Sequence, residues 1–332
     1  MWTAQKERIS VSKFSLIFAV FAISLAYPAP TIAQSLKEIR IGSSNISVTN
    51  ICTYFARDRK FFEKEGLDVK IIIVKTEAAL PAAVAGNLDF STMSTSSIEG
   101  TLRGMPLRLL AVTNRHPLLG LVVREGIRTV SDLKGKKLSV SSFGGATYGA
   151  ALHLLKSHGL KPNEDVAILA TGTNPARIAA LKQGAIDAVL LSSPDDIRVA
   201  REGFKILVDV GNDYRLPWGG VSATLSKIRE SPSEVKSVVR AVLRATRFIT
   251  DPQNKIDVEN YIARFFKLDK TSVEQFYQRL VPSLNPTGIV EKDKIQLVID
   301  SAVERGLTSK PLDPDRVVDF SFVKEVETLG ER

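Results

Sequence analysis

The sequence predicts a two-lobed α/β protein, each lobe a mixed, mostly parallel sheet flanked by helices, with a ligand cleft between the lobes. Three observations carry that expectation. The chain has 332 residues, 44% hydrophobic and 24% charged, which is globular composition with enough length for two cores. Strand and helix patterns alternate along it, the signature of parallel sheets with helices on both faces. The alternation also occurs twice, and the second copy resembles the first in letters as well as in pattern. A single large sheet is the alternative that the length allows.

The first 33 residues read as an export signal. Lys6, Arg8 and Lys13 precede an uncharged stretch over 14–27, and Thr31-Ile32-Ala33 offers small residues for cleavage. The rival reading, a retained membrane anchor, falls short of the ~20 apolar residues of a span. A mature chain beginning near Gln34 and a periplasmic location are therefore expected.

Residues 36–42 alternate as a strand, and 50–65 carry helical spacing that stops at Gly66. A β-branched strand over 69–74, a short helix over 80–86 and a strand over 88–93 complete the first unit. The second unit runs as a strand over 137–141, a helix over 147–157, a strand over 166–170, a helix over 175–182 and a strand over 186–191. Residues 82–90 match 180–188, aligning Gly86 with Gly184 and Asp89 with Asp187, and each copy reaches a serine four residues on, Ser94 and Ser192. Gly66-Leu67 likewise matches Gly159-Leu160. The remainder is helix-rich: 232–249 opens on Ser231-Pro232, a cap followed by a first-turn proline, and helices over 257–266, 272–280 and 291–305 follow. The expected domains are a signal (1–33), the first part of lobe 1 (34–124), lobe 2 (125–213), and a return crossing with helices completing lobe 1 (214–332).

Composition narrows the function. One cysteine excludes an intramolecular disulfide and any cysteine-rich metal site. Cys52, at the start of an apolar helical pattern, reads as a buried small hydrophobe rather than a nucleophile. Of the three histidines, His153 and His158 lie five apart, the wrong spacing for one helical face. No metal, cofactor or catalytic residue is expected. The net charge of +9 is spread among acids on helix faces rather than gathered in a stripe, so nucleic acid is not an expected partner.

In open α/β sheets ligands bind beyond the carboxyl ends of the strands. Here the loops at those ends are rich in hydroxyls: Ser43-Ser44-Asn45, Ser94-Thr95-Ser96, Gly144-Gly145-Ala146-Thr147 and Ser192-Ser193. Backbone N–H groups at helix starts suit an anion or carbonyl. Ordinary capping explains any one such loop; four in repeat-related places raise the ligand reading to equal standing. Glu99, Arg115, Arg124 and Arg177 are candidates to face the cleft, and Arg177, in a first helical turn, is the best placed to meet an anion. Trp218 either stacks on a ligand or packs the hinge. The 144–149 loop lacks a dinucleotide fingerprint and a P-loop lysine.

The run Phe61-Phe62-Glu63-Lys64-Glu65-Gly66-Leu67-Asp68-Val69, with 54–60 before it, resembles a signature of the substrate-binding proteins of nitrate/sulfonate/taurine-type ABC transporters. Residues 82–90, 130–137 and 319–323 extend the resemblance over nearly the whole mature chain. It implies the type II periplasmic binding fold, with two crossings between lobes near 122–126 and 213–220, capture of a small ligand by lobe closure, and delivery to a permease with its ATPase by a monomeric binder. Carried over by motif position, Ser43, Ser44, Asn45, Ser94, Thr95 and Ser96 would line one side of the cleft, and Gly144, Gly145, Ala146, Thr147, Ser192 and Ser193 the other. The implied ligands run from small oxyanions to aromatic acids and pyrimidines. Two alternatives share the fold: an enzyme related to thiamine-pyrimidine synthesis, whose cysteine-rich motif has no counterpart here, and a ligand-sensing domain for a signalling partner.

Overall fold

The first sheet has the strand order β2-β1-β3-β10-β4 and the second β7-β6-β8-β5-β9. The strands of the first are β1 (Lys37–Ser43), β2 (Leu67–Ile73), β3 (Phe90–Met93), β4 (Leu107–Val112) and β10 (Gly219–Thr224); those of the second are β5 (Leu119–Val123), β6 (Lys137–Val140), β7 (Ala167–Ala170), β8 (Ala188–Ser192) and β9 (Lys205–Asp209). This computed structural model describes residues 1–2, 35–44, 46–143 and 145–328, so the expected signal lies outside the described residues apart from Met1 and Trp2. The chain divides into Met1–Ser35 and Leu36–Arg332, and every element described belongs to the second unit.

The two sheets have the same plan. In each, three strands run parallel and one antiparallel strand, β10 or β5, joins them to a further edge strand. The letter repeat has a structural cause. Gly86 and Gly184 turn the chain at φ +79° and +74° after α3 (Thr76–Val84) and α6 (Asn174–Lys182), the left-handed region where glycine costs least. Three residues on, Asp89 Oδ2 accepts from Arg40 N at 2.8 Å and Asp187 Oδ2 from Lys137 N at 2.9 Å. Each aspartate clips the start of the strand that follows it, β3 or β8, to the neighbouring strand β1 or β6.

The expected helix over 50–65 is two helices, α1 (Ile51–Asp58) and α2 (Phe61–Lys64), because Lys60 adopts a left-handed conformation at φ +60°. The helices α4 (Ser94–Leu102), α5 (Ala146–Ser157) and α7 (Asp195–Arg201) follow β3, β6 and β8. Periodicity names no strand at β4, β5, β9 or β10. Three of these, β4, β5 and β10, are buried along nearly their whole length, so they lack the alternation that marks a half-exposed strand.

The C-terminal helices are α8 (Leu225–Glu230), α9 (Pro232–Thr250), α10 (Lys255–Phe266), α11 (Lys270–Ser283), α12 (Lys292–Glu304) and α13 (Ser321–Thr328). On α9, Val235, Val238, Val239, Val242, Thr246 and Ile249 are buried at helical spacing. They meet β1, α1, α10 and α11 in one core, while Ile295, Val298 and Ile299 of α12 join a second core with β5, β6 and α5. The C-terminal helices thus reach both sheets rather than only the first.

Candidate functional site

The first crossing differs from the sequence expectation. β5 pairs with β8 and β9 inside the second sheet, so the chain has crossed before residue 119, and 122–126 is no hinge. The crossing is the stretch 113–118. It runs beside the return: Thr113 N donates to Gly219 O at 2.8 Å and Trp218 N to Asn114 O at 3.0 Å. A third segment lies along it, because Arg115 N donates to Ser283 O and Asn285 N to Thr113 O. Close approach explains Gly219 here: a Cβ would stand 2.2 Å from Asn114 Oδ1 and 2.5 Å from Thr49 O.

Around this seam the strand ends converge. Ser43 closes β1 fully buried, its Oγ accepting from Asn50 Nδ2 at 2.7 Å. Ser94 opens α4, and Thr95 Oγ1 donates to Pro217 O at 3.1 Å, fastening that helix start to the return crossing. On the other side Ser192 ends β8, and Ser193 Oγ donates to Asp196 Oδ2 at 3.0 Å. Val48 N approaches Ser193 O at 3.4 Å, so the loop after β1 and the loop after β8 face each other directly. Ser44 and Ser96 are half-buried on the first side; Gly145 and Ala146 begin α5 on the second. Asn45 and Gly144 lie outside the described residues.

Several sequence candidates have other work. Thr147 Oγ1 accepts from Ser141 N at 3.0 Å and lies 2.7 Å from Ser141 Oγ, a latch across its own loop. Arg177 is 3% exposed; its Nη1 donates to Leu190 O at 2.8 Å and its Nη2 to Asn174 Oδ1. Burial pulls the guanidinium down to about 10; Nη1 and Nη2 brace the second sheet, while Nε is buried with no hydrogen-bond partner among the described residues. Glu99 pairs with Arg305 of the α12 terminus, both side chains nearly inaccessible, and burial raises its carboxyl above the usual range. Arg124 covers the turn at Gly184. Trp218 is half-buried and sits edge-on to Tyr214, 6.3 Å between ring centroids.

Sequence reasoning missed Ser47 and Asn114. Ser47 is 3% exposed and Ser94 1%, and neither hydroxyl has a hydrogen-bond partner among the described residues. Ser47 extends the hydroxyl-rich run from Ser43 and was findable on that ground; Asn114 carries no local signal. A buried polar atom without a partner costs free energy. A concavity of about 740 Å³ lies between α5, α12 and the start of the return crossing, lined by His153, Tyr214, Ser301 and Arg305 among others.

Two like sheets whose switch-point loops face each other across a seam of crossing segments define a two-lobed periplasmic-binding-protein fold. The family described as NMT1/THI5 like matches residues 48–255, and the chain belongs to that family. A binding protein of Brucella abortus is 22% identical over 315 residues, covering 92% of this chain and 93% of that one. Among solved structures, the periplasmic aliphatic sulphonate binding protein SsuA of Escherichia coli has a TM-score of 0.69 at 20% identity, covering 86% of this chain and 92% of its own. The periplasmic nitrate-binding protein NrtA of Synechocystis PCC 6803 scores 0.74 at 15% identity, with 89% of both chains covered. The desulfurization enzyme DszB, solved with biphenyl-2-sulfinic acid, scores 0.66 at 17% identity and covers 88% of this chain and 99% of its own.

Proposed function

We propose that this chain is the extracytoplasmic solute-binding component of an ABC importer, exported by residues 1–33 and delivering its ligand to a permease and ATPase. The observation that carries this reading is the pair of buried, unpartnered hydroxyls, Ser47 and Ser94, where the switch-point loops of the two sheets face each other. A small ligand there, anionic or aromatic in body, would satisfy both hydroxyls beside Ser44 while touching Gly145 and Ser192–Ser193 on the other side. Contact with both lobes favours the closed state by differential affinity, and a permease reads that closure. The names of SsuA, NrtA and the Brucella relative support a binder, and a monomer suffices for the task.

The fold is also that of DszB, so an enzyme is the second reading. Chemistry would need an activated nucleophile or a poised acid–base group. Burial pushes the Cys52 thiol up to about 12, and Cys52 packs within the first core, which favours a binder.

Calorimetry of the purified mature chain against nitrate, taurine, an alkanesulfonate, an aromatic acid and a pyrimidine tests the reading. One of these binds, and Ser94→Ala weakens it about tenfold, the value of one hydrogen bond to a charged group, with thermal stability unchanged. Wild-type affinity in both Ser94→Ala and Ser47→Ala sinks the site.

A further inference from the structure

On the outer flank of the first lobe, away from the facing strand ends, a pocket of about 570 Å³ opens between α2, α9 and α13. Its walls combine apolar and cationic groups in a definite order. Arg240, Arg244 and Arg247 project from α9 at spacings of four and three residues, one stripe of a helix. Lys64 faces them from the last turn of α2. Between them lies Phe61, whose ring carries two cations: Lys64 Nζ at 5.6 Å and Arg244 Cζ at 5.7 Å from the centroid. Phe248 meets that ring edge-on at 6.2 Å.

The charge in this pocket is only partly answered. Arg240 pairs with Glu65 at 2.8 Å, and Arg247 with Glu327 at 3.3 Å. Lys64 and Arg244 are exposed, and among the described residues no carboxylate pairs with either. A ring quadrupole attracts a cation without neutralising it. The one acid on the wall, Asp251, directs Oδ1 to the backbone N of Gln253 at 2.9 Å as a helix cap. The result is an apolar floor beneath two uncompensated cations, in a volume typical of small-molecule sites.

We propose that this pocket binds a small organic anion with an apolar or planar body, of the aryl carboxylate or aryl phosphate class, at a site separate from the interlobe cleft. The body lies against Phe61 and Phe248, and the anionic head sits between Lys64 and Arg244. Size selects a small molecule over a macromolecular strand, since the pocket is bounded by α13 at Val326 and by Asn254 beyond the α9 terminus.

Calorimetry with phenyl phosphate on the exported chain is the test, with phenol as the uncharged comparison. Wild type binds phenyl phosphate, phenol binds at least about tenfold more weakly, and Arg244→Gln and Lys64→Gln each lose about tenfold, while Ser94→Ala in the cleft leaves the affinity unchanged. Loss in Ser94→Ala with retention in Arg244→Gln would place the ligand in the cleft and overturn the proposal, leaving the importer reading intact. Absence of binding at millimolar phenyl phosphate also overturns it. Binding of a hexaglutamate peptide through Lys64 and Arg244, with none of phenyl phosphate, would make the groove a protein-docking surface instead.

Discussion

Arg279 on α11 donates from Nη1 to the Oδ2 of Asp196 on α7, at 2.8 Å, and the aspartate side chain is 0% exposed. The same guanidinium reaches Asp209 through Nε, also at 2.8 Å. Asp196 completes its coordination with Ser193 Oγ and the N–H of Ile197. Gly120 leaves the room: a Cβ there would stand 2.7 Å from Asp196 Oδ2. A helix that follows the return crossing is thus tied by a buried ion pair to the second sheet's own helix. Arg201 to Asp269, on the surface, repeats the link.

Removing one partner of this pair strands a buried charge. Arg279→Met should cost about 3–5 kcal/mol in urea unfolding, and Asp196→Asn less, because an amide keeps part of the hydrogen bonding. The double variant should cost clearly less than the two single losses added, as expected for groups in contact. Additive losses in that cycle would show that the pair does not act as a unit.

Thr147→Val tests the loop latch. With its hydroxyl engaged by Ser141 N and Oγ, its loss should lower stability by about 1 kcal/mol whether or not ligand is present. Chemical denaturation with and without bound ligand measures this. A stability change seen only in the liganded protein would instead make Thr147 a ligand contact.

What could be read in the sequence follows from what is local. Gly86 and Gly184 with Asp89 and Asp187 form a turn and clip that need only neighbouring residues, so the repeat was visible in letters. The hydroxyl loops were visible for the same reason. Arg177 shows the limit: a first-turn cation looks the same in sequence whether it faces a ligand or braces Leu190 O and Asn174. The third segment of the seam, 283–285, and the Arg279–Asp196 tie leave no mark in the sequence: each joins residues more than 80 positions apart by geometry alone. The first crossing was misplaced because β5, buried on both faces, has no alternation to mark where it begins.

Cys52 gives a simple kinetic prediction. Its thiol is buried and pushed up to about 12, chiefly by desolvation, and the thiolate is the reactive form. In native buffer at neutral pH a chromogenic disulfide reagent should label it only as fast as the protein opens. In denaturant, labelling should be immediate and reach one thiol per chain. Rapid labelling of the native protein would contradict the buried placement and revive a nucleophilic role.

His116 sets the pH dependence of the seam. It stands at the first crossing, its Nδ1 3.3 Å from Pro117 O, with Gly211 packed so closely that a Cβ there would lie 2.0 Å from that same oxygen. Burial first, then the nearby Arg215 and Arg115, hold the imidazole below its usual 6.5, against the opposing pull of the Pro117 carbonyl and Asp209. The unfolded chain therefore binds the proton more readily than the folded one, and stability must fall as pH drops from 6.5 toward the folded value. Above 6.5 both states are neutral and the contribution is complete. His116→Gln removes the titration, so the variant should hold its stability across that window while wild type declines, by no more than about 1.4 kcal/mol per pH unit for a single proton. Urea midpoints at about pH 7.5 and about pH 5.5 compare the two. Parallel declines in both proteins would mean that another group titrates and that His116 is as readily protonated in the seam as in water.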